Sequence, residues 1–130
     1  MNPMNTWGGT DIGLVRRENQ DNYAIEHLED GRVIGVVCDG MGGAAGGREA
    51  SRIAVEVYIR ELKKVLTPDM TPRQLREASS YAVSLANEAI RRAAAEREEW
   101  RNMGTTLVSA VSYEGGAVIT NVGDSRAYHI

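Results

Sequence analysis

The spacing of apolar residues switches between two periods along this chain. Residues 33–38, Val-Ile-Gly-Val-Val-Cys, are a continuous apolar run of strand length, which predicts a strand buried on both faces. Residues 23–27 predict a partner strand, and the Asp-Gly in Glu29-Asp30-Gly31-Arg32 is a hairpin-turn signal between the two. A glycine-rich loop is predicted over residues 40–47. The period then becomes helical: Ala50, Ile53, Ala54, Val57, Leu62 and Val65 recur on one face until Thr67-Pro68 stops the helix. A second helix opens at Thr71-Pro72-Arg73-Gln74, where Thr71 can cap, Pro72 suits the first helical position and Gln74 can complete a capping box. Leu75, Ala78, Ala82, Leu85, Ala86, Ala89 and Ile90 form its apolar stripe, and the Arg/Glu mixture over residues 91–101 predicts a solvated face. After Gly104 the period returns to two. Residues 106–113 and 117–122 predict strands around the turn Glu114-Gly115-Gly116, and residues 126–130 a further strand after Gly123-Asp124-Ser125. Strands, two long helices and strands again, with no repeat or linker, predict an α+β domain with an antiparallel sheet packed on helices.

Composition narrows the function classes. A length of 130 residues suits one domain or part of one. The net charge of -3 comes without a basic stripe, which disfavours nucleic acid as a partner. With 42% hydrophobic residues but no Phe, the core must be built from Val, Ile, Leu, Ala and Met. The single cysteine, Cys38, permits no internal disulfide and suits a reducing compartment. Met1-Asn2-Pro3-Met4-Asn5 carries no positive charge and no apolar stretch follows, unlike a secretory signal. No apolar run reaches membrane-span length. The expectation is a soluble cytoplasmic protein with no membrane partner.

Three carboxylates stand out because each falls at a predicted strand end beside turn residues: Asp21, Asp39 and Asp124. Asp39 follows the most hydrophobic strand and precedes Gly40-Met41-Gly42-Gly43. A carboxylate at the end of a buried strand needs a cation or a donor. It could instead cap the glycine loop by accepting backbone N–H groups. Hard divalent cations such as Mg²⁺ and Mn²⁺ favour carboxylate and carbonyl oxygens, and two such ions together can activate water and clamp a phosphoryl group. Gly40, without a Cβ, would let its carbonyl approach a metal closely. Asp11, Asp30 and Asp69 read as turn or loop acids. Arg16 and Arg17, just upstream of Asp21, have the bidentate geometry that phosphate recognition uses, though surface charges look the same in sequence. His27, His129 and Cys38 have no metal-ligand spacing, and Cys38 reads as a small core residue.

A strand–glycine loop–helix reading, residues 33–38 then Gly40-Met41-Gly42 and Gly46, loosely imitates a dinucleotide site. Asp39 would then face a pyrophosphate with the wrong charge. Two successive helices also conflict with the single crossover that such a unit requires.

Four segments together resemble one family, the metal-dependent protein phosphatases of type 2C in their bacterial form. They are Asp11-Ile12-Gly13-Leu14-Val15-Arg16-Arg17-Glu18-Asn19-Gln20-Asp21, Val37-Cys38-Asp39-Gly40-Met41-Gly42-Gly43, Gly104-Thr105-Thr106-Leu107, and Val122-Gly123-Asp124-Ser125-Arg126. They occur in the family's order and span most of the chain. The resemblance implies an incomplete α-β-β-α layered sandwich, with antiparallel sheets packed on two long antiparallel helices. Asp39 would bridge two catalytic Mn²⁺ or Mg²⁺ ions, and the Gly40 carbonyl would hold one. Asp21 would act on the other ion, largely through water, and Asp124 would belong to an additional, weaker site. Arg16 would bind the substrate phosphate. Gly42 and Gly43 would let the loop run close to the metals. The substrate would be a phosphoserine or phosphothreonine protein, opposing a serine/threonine kinase, attacked by water without a phosphoenzyme.

Two features depart from the family pattern. Met41 stands where animal members carry a His proposed as leaving-group acid, so that proton donor is unassigned. The later Asp-Gly and Asp-Asn motifs, whose aspartates complete the family's metal site, do not occur in these 130 residues. The expectation is therefore residues 1–130 as the N-terminal part of a single phosphatase catalytic domain, truncated after the Gly-Asp-Ser-Arg strand. A complete domain would be a monomer, whereas the truncated chain would be prone to association through an open sheet edge. The rival class is a catalytically inert half-domain acting as a binding or regulatory module.

Overall fold

A computed structural model of the chain describes residues 21–126, by backbone alone at Asp21, Ala44 and residues 124–126. Within them the order is β1 (Asp21–His27), β2 (Val33–Met41), α1 (Ala44–Val65), α2 (Pro72–Ala94), a 3-10 turn (Glu98–Trp100), β3 (Gly104–Tyr113) and β4 (Gly116–Arg126). The strands form one antiparallel sheet in the order β1-β2-β3-β4. α1 packs on β1, β2 and β3, and α2 packs on α1 and β4, so both helices cover the same face. The described residues are thus an α+β pair of layers, and the core lies between them.

Period-two burial fixes which strand residues face the helices. Ile34, Val36 and Cys38 of β2 and Thr105, Leu107, Ser109 and Val111 of β3 are buried against Ala50, Ile53, Ala54, Val57, Tyr58 and Leu62 of α1. The buried polar-tipped residues of the helices escape an apolar-stripe reading: Ser51 and Tyr58 of α1, the Tyr58 hydroxyl lying 2.5 Å from Ser109 Oγ, and Ser79 of α2. On the opposite face the apolar run opens out, with Val37 half-buried and Tyr23, Val108 and Ile119 exposed.

The helix boundaries follow local chemistry. Gln74 N–H donates to Thr71 Oγ1 at 3.1 Å and Thr71 N–H donates to Gln74 Oε1 at 2.9 Å, the capping box that the sequence predicts. The first helix differs from expectation. It begins at Ala44, so only Gly42 and Gly43 remain of the predicted loop over 40–47, both with positive φ of 101° and 93°. Gly46 and Gly47 are helical, and this first turn of the helix is closely packed on its neighbours. A Cβ on Gly40 would stand 1.9 Å from the Gly47 carbonyl oxygen, and one on Gly46 would stand 3.1 Å from Met103 Cβ.

The C-terminal expectation also changes. Gly123-Asp124-Ser125-Arg126 does not turn the chain into a new strand but continues β4. The pairing shifts by one residue between Thr105↔Ser125 and Leu107↔Val122, so β4 accommodates an extra residue as a bulge opposite Thr106. The rest of the strand expected at 126–130, His129, Arg16, Arg17 and the motif over residues 11–20 lie outside the described residues.

The Gly40–Gly47 contact involves backbone on both sides, so neither partner can rotate away. Gly40→Ala is expected to destabilise the fold by about 3 kcal/mol or more. Gly31→Ala, at a φ of +95° but with nothing within 4 Å, is expected to cost only about 1–2 kcal/mol of left-handed strain. Urea midpoints compare the two; equal losses would contradict the contact.

Candidate metal and phosphate site

Asp39 lies inside β2, two residues before its end at Met41, and not at the strand terminus that the sequence pattern predicts. Its neighbours Cys38 and Gly40 are buried toward the helices, so alternation sends the exposed Asp39 to the other face. The Asp39 N–H donates to Thr106 Oγ1 at 3.3 Å, which ties this position to β3. Among the described residues the carboxylate itself has no hydrogen-bond or ion-pair partner. The loop-capping alternative therefore finds no support among these residues.

The register places Asp21 directly across from Asp39 in the antiparallel β1–β2 pair. In β2–β3 the pairs Val37↔Val108 and Gly40↔Thr105 bracket Asp39 and Thr106. The β4 bulge opposite Thr106 includes Asp124. A single row across four strands thus brings together Asp21, Asp39, Thr106 and Asp124. Like charges directly opposite in a sheet destabilise it, so an Asp21/Asp39 pair calls for a cation. The donors available along the row are carboxylate, hydroxyl and carbonyl oxygens, without imidazole or thiolate, and they fit a hard divalent ion. Among the described side chains no group of three or more His, Cys, Asp and Glu residues surrounds a common point. Asp39 is the row's one carboxylate whose side chain is described.

Gly40 sits beside Asp39 and pairs with Thr105. The structure gives its missing Cβ a packing reason, the close approach of the Gly47 backbone. Met41 pairs with Gly104 and is half-buried, and its thioether has no proton to donate. Thr106 was legible in sequence only as part of a strand start. Its hydroxyl is what braces the Asp39 backbone.

The remaining candidates fall away from this row. Asp30 occupies the β1–β2 turn at the opposite end, where its carboxylate accepts Arg32 Nε at 2.9 Å and the Arg32 backbone N–H at 3.1 Å. The Arg32 side chain holds that carboxyl below its ordinary value. Asp69, in the helix connection, accepts the Thr67 hydroxyl at 3.4 Å. Burial pushes the Cys38 thiol up to about 12, so it is not a thiolate nucleophile at neutral pH. The dinucleotide reading fails on topology, because β2 and β3 are antiparallel and two helices intervene.

Comparison with known proteins identifies the family and supports the fold. Residues 15–129 match the family described as Protein phosphatase 2C. Over 119 residues the chain is 35% identical to the serine/threonine phosphatase stp of Listeria monocytogenes, covering 92% of this chain and 47% of that one. It is 33% identical over 119 residues to the protein phosphatase PhpP of Streptococcus pneumoniae, covering 90% and 46%. Among solved structures it is similar to the serine/threonine phosphatase Stp1 from Staphylococcus aureus. That match has a TM-score of 0.72 and 29% identity, over 87% of this chain and 44% of that one. It is also similar to the Mycobacterium tuberculosis serine/threonine phosphatase PstP/Ppp, with a TM-score of 0.66 and 27% identity over 87% and 44%. The chain spans about half the length of the curated relatives it matches. With the family match running along nearly all of its length, the chain belongs to the protein phosphatase 2C family.

Proposed function

We propose that this chain supplies the N-terminal half of a metal-dependent protein phosphatase site that hydrolyses phosphoserine and phosphothreonine. The observation that carries the reading is the Asp21↔Asp39 pairing, next to an Asp39 carboxylate left unpartnered among the described residues. Asp39 would hold a Mn²⁺ or Mg²⁺ ion, with Asp21, the Gly40 carbonyl and Asp124 as further oxygen donors. When bound, such ions supply charge neutralisation at the phosphoryl group and a water activated for attack.

The protein's own residues do the rest. Arg16 would bind and orient the phosphate through a forked, charge-assisted pair. Thr106 holds the backbone of Asp39 in place. The leaving alkoxide would take its proton from water, since Met41 cannot give one. The expected partner is a phosphorylated protein, made by an opposing serine/threonine kinase, and the expected location is the cytoplasm.

Calorimetric titration of residues 1–130 with Mn²⁺ is expected to show weak binding, about 0.1–1 mM as for sites with few carboxylates. Asp39→Asn should abolish it and leave the melting temperature equal or higher, because one of two facing acids is removed. Turnover of a phosphothreonine peptide by this chain alone should be slight. Binding that survives Asp39→Asn would overturn the site, and robust turnover by a monomer would show that this half is self-sufficient. Arg16→Ala should weaken phosphopeptide binding about tenfold, with the melting temperature nearly unchanged. Unfolding with binding spared would give Arg16 a structural role instead.

A further inference from the structure

The end of the sheet that carries Asp21 and Asp39 has a second recess, of about 370 Å³, on the helix side. Asn22, the residue after Asp21, lines it, and its amide donates to Ser51 Oγ of α1 at 2.8 Å. Arg48 and Arg52 of α1 and Arg97 and Trp100 of the connection to β3 also line it. Three guanidiniums therefore meet two carboxylates, Glu49 and Glu99, in a chain whose net charge is -3.

The three arginines are not equivalent. Arg52 is committed, donating to Glu49 and to Glu56 Oε1 at 2.8 Å. Arg97 lies over the Trp100 ring at 4.8 Å. Its approach to Glu99, at 3.5 Å between side chains 58% and 60% exposed, is a loose, screened pair. Arg48 is exposed and has no carboxylate partner among the described residues. Among the described residues the recess thus presents one guanidinium without a carboxylate partner and one that lies against an aromatic face. Pre-orientation of Arg97 lowers the ordering cost of binding an anion.

We propose that this recess docks an acidic side chain of the substrate polypeptide, a carboxylate flanking the phosphorylated residue, held by Arg48 and Arg97. The proposal rests on the phosphatase reading above and adds a sequence preference to it. Extended chain advances about 3.3 Å per residue. An acidic residue two to four positions from the phosphorylated one therefore reaches roughly 7–13 Å, and Asn22 of the recess directly follows Asp21 of the acidic row.

Three labelled peptides of equal length test this by fluorescence anisotropy with residues 1–130, Mn²⁺ and low salt. One carries phosphothreonine flanked by Glu, one phosphothreonine flanked by Gln, and one unmodified Thr flanked by Glu. The first is expected to bind about tenfold tighter than the second, as for a charge-assisted pair. Arg48→Ala and Arg97→Ala should each reduce that preference to under about threefold, and 0.5 M salt should erase it. Both side chains are exposed, so unchanged thermal melts serve as the folding control. Equal affinity for the first two peptides, no measurable binding of either, or a preference that survives both substitutions would overturn the proposal. If phosphate adds affinity and Glu adds none, the recess falls and the phosphatase reading stands. If Glu adds Arg48-dependent affinity and phosphate adds none, the recess stands and the phosphatase reading falls.

Discussion

The acidic end of the sheet depends on one backbone-to-backbone contact, Gly40 against Gly47. No side chain fits between them, since a Cβ on Gly40 would overlap the Gly47 carbonyl. The start of α1 is thereby pressed onto β2 directly behind the candidate site. Strand alternation converts this into chemistry. With Gly40 and Cys38 committed to the helix side, Asp39 has to face the other way. The positive-φ pair Gly42 and Gly43 completes the reversal from strand to helix in two residues.

The two faces of the sheet then have different fates. The helix side is filled by Ile34, Val36, Leu107 and Val111 against both helices, and each such side chain contributes roughly 1.5–3 kcal/mol on burial. On the other side Tyr23, Val108 and Ile119 remain 46%, 42% and 62% exposed, on the same face as Asp39. The helices pack on one face of the sheet, and the other face presents the apolar surface. The candidate site and the apolar patch therefore share one face, while the arginine-lined recess lies behind it.

Much of this was legible from residue spacing. The helical stripes, the Thr71–Gln74 capping box, the Asp30-Gly31 turn and the strand–helix–helix–strand order follow from local chemistry that tertiary packing does not override. What was not legible depends on contacts distant in sequence. Gly46 and Gly47 look like loop residues until the helix is seen to begin at Ala44, with Gly40 packed against Gly47 and Met103 beside Gly46. Gly123-Asp124-Ser125 looks like a turn, because its glycine and acid are turn residues, until Thr106 is found opposite a bulge. Tyr58 and Ser79 were passed over as polar, although both are buried. For the site, motif order singled out Asp21, Asp39 and Asp124, but only strand register could place them in one row. No spacing rule pointed to Thr106 or to the meeting of Arg48 and Arg97 at one recess with the whole of α2 between them in sequence.

The central claim is that a divalent cation binds on the row defined by Asp39, on the face turned away from the helices. Paramagnetic broadening of backbone amide signals by Mn²⁺ reads this residue by residue. Sub-stoichiometric Mn²⁺ added to isotope-labelled residues 1–130 should first broaden Asp21, Asp39, Gly40 and Thr106, while the opposite turn, at Asp30, Gly31 and Glu114, stays sharp. Broadening that begins at Asp30, Asp69 or Glu114, or that spreads evenly over the acidic surface and survives Asp39→Asn, would contradict the account.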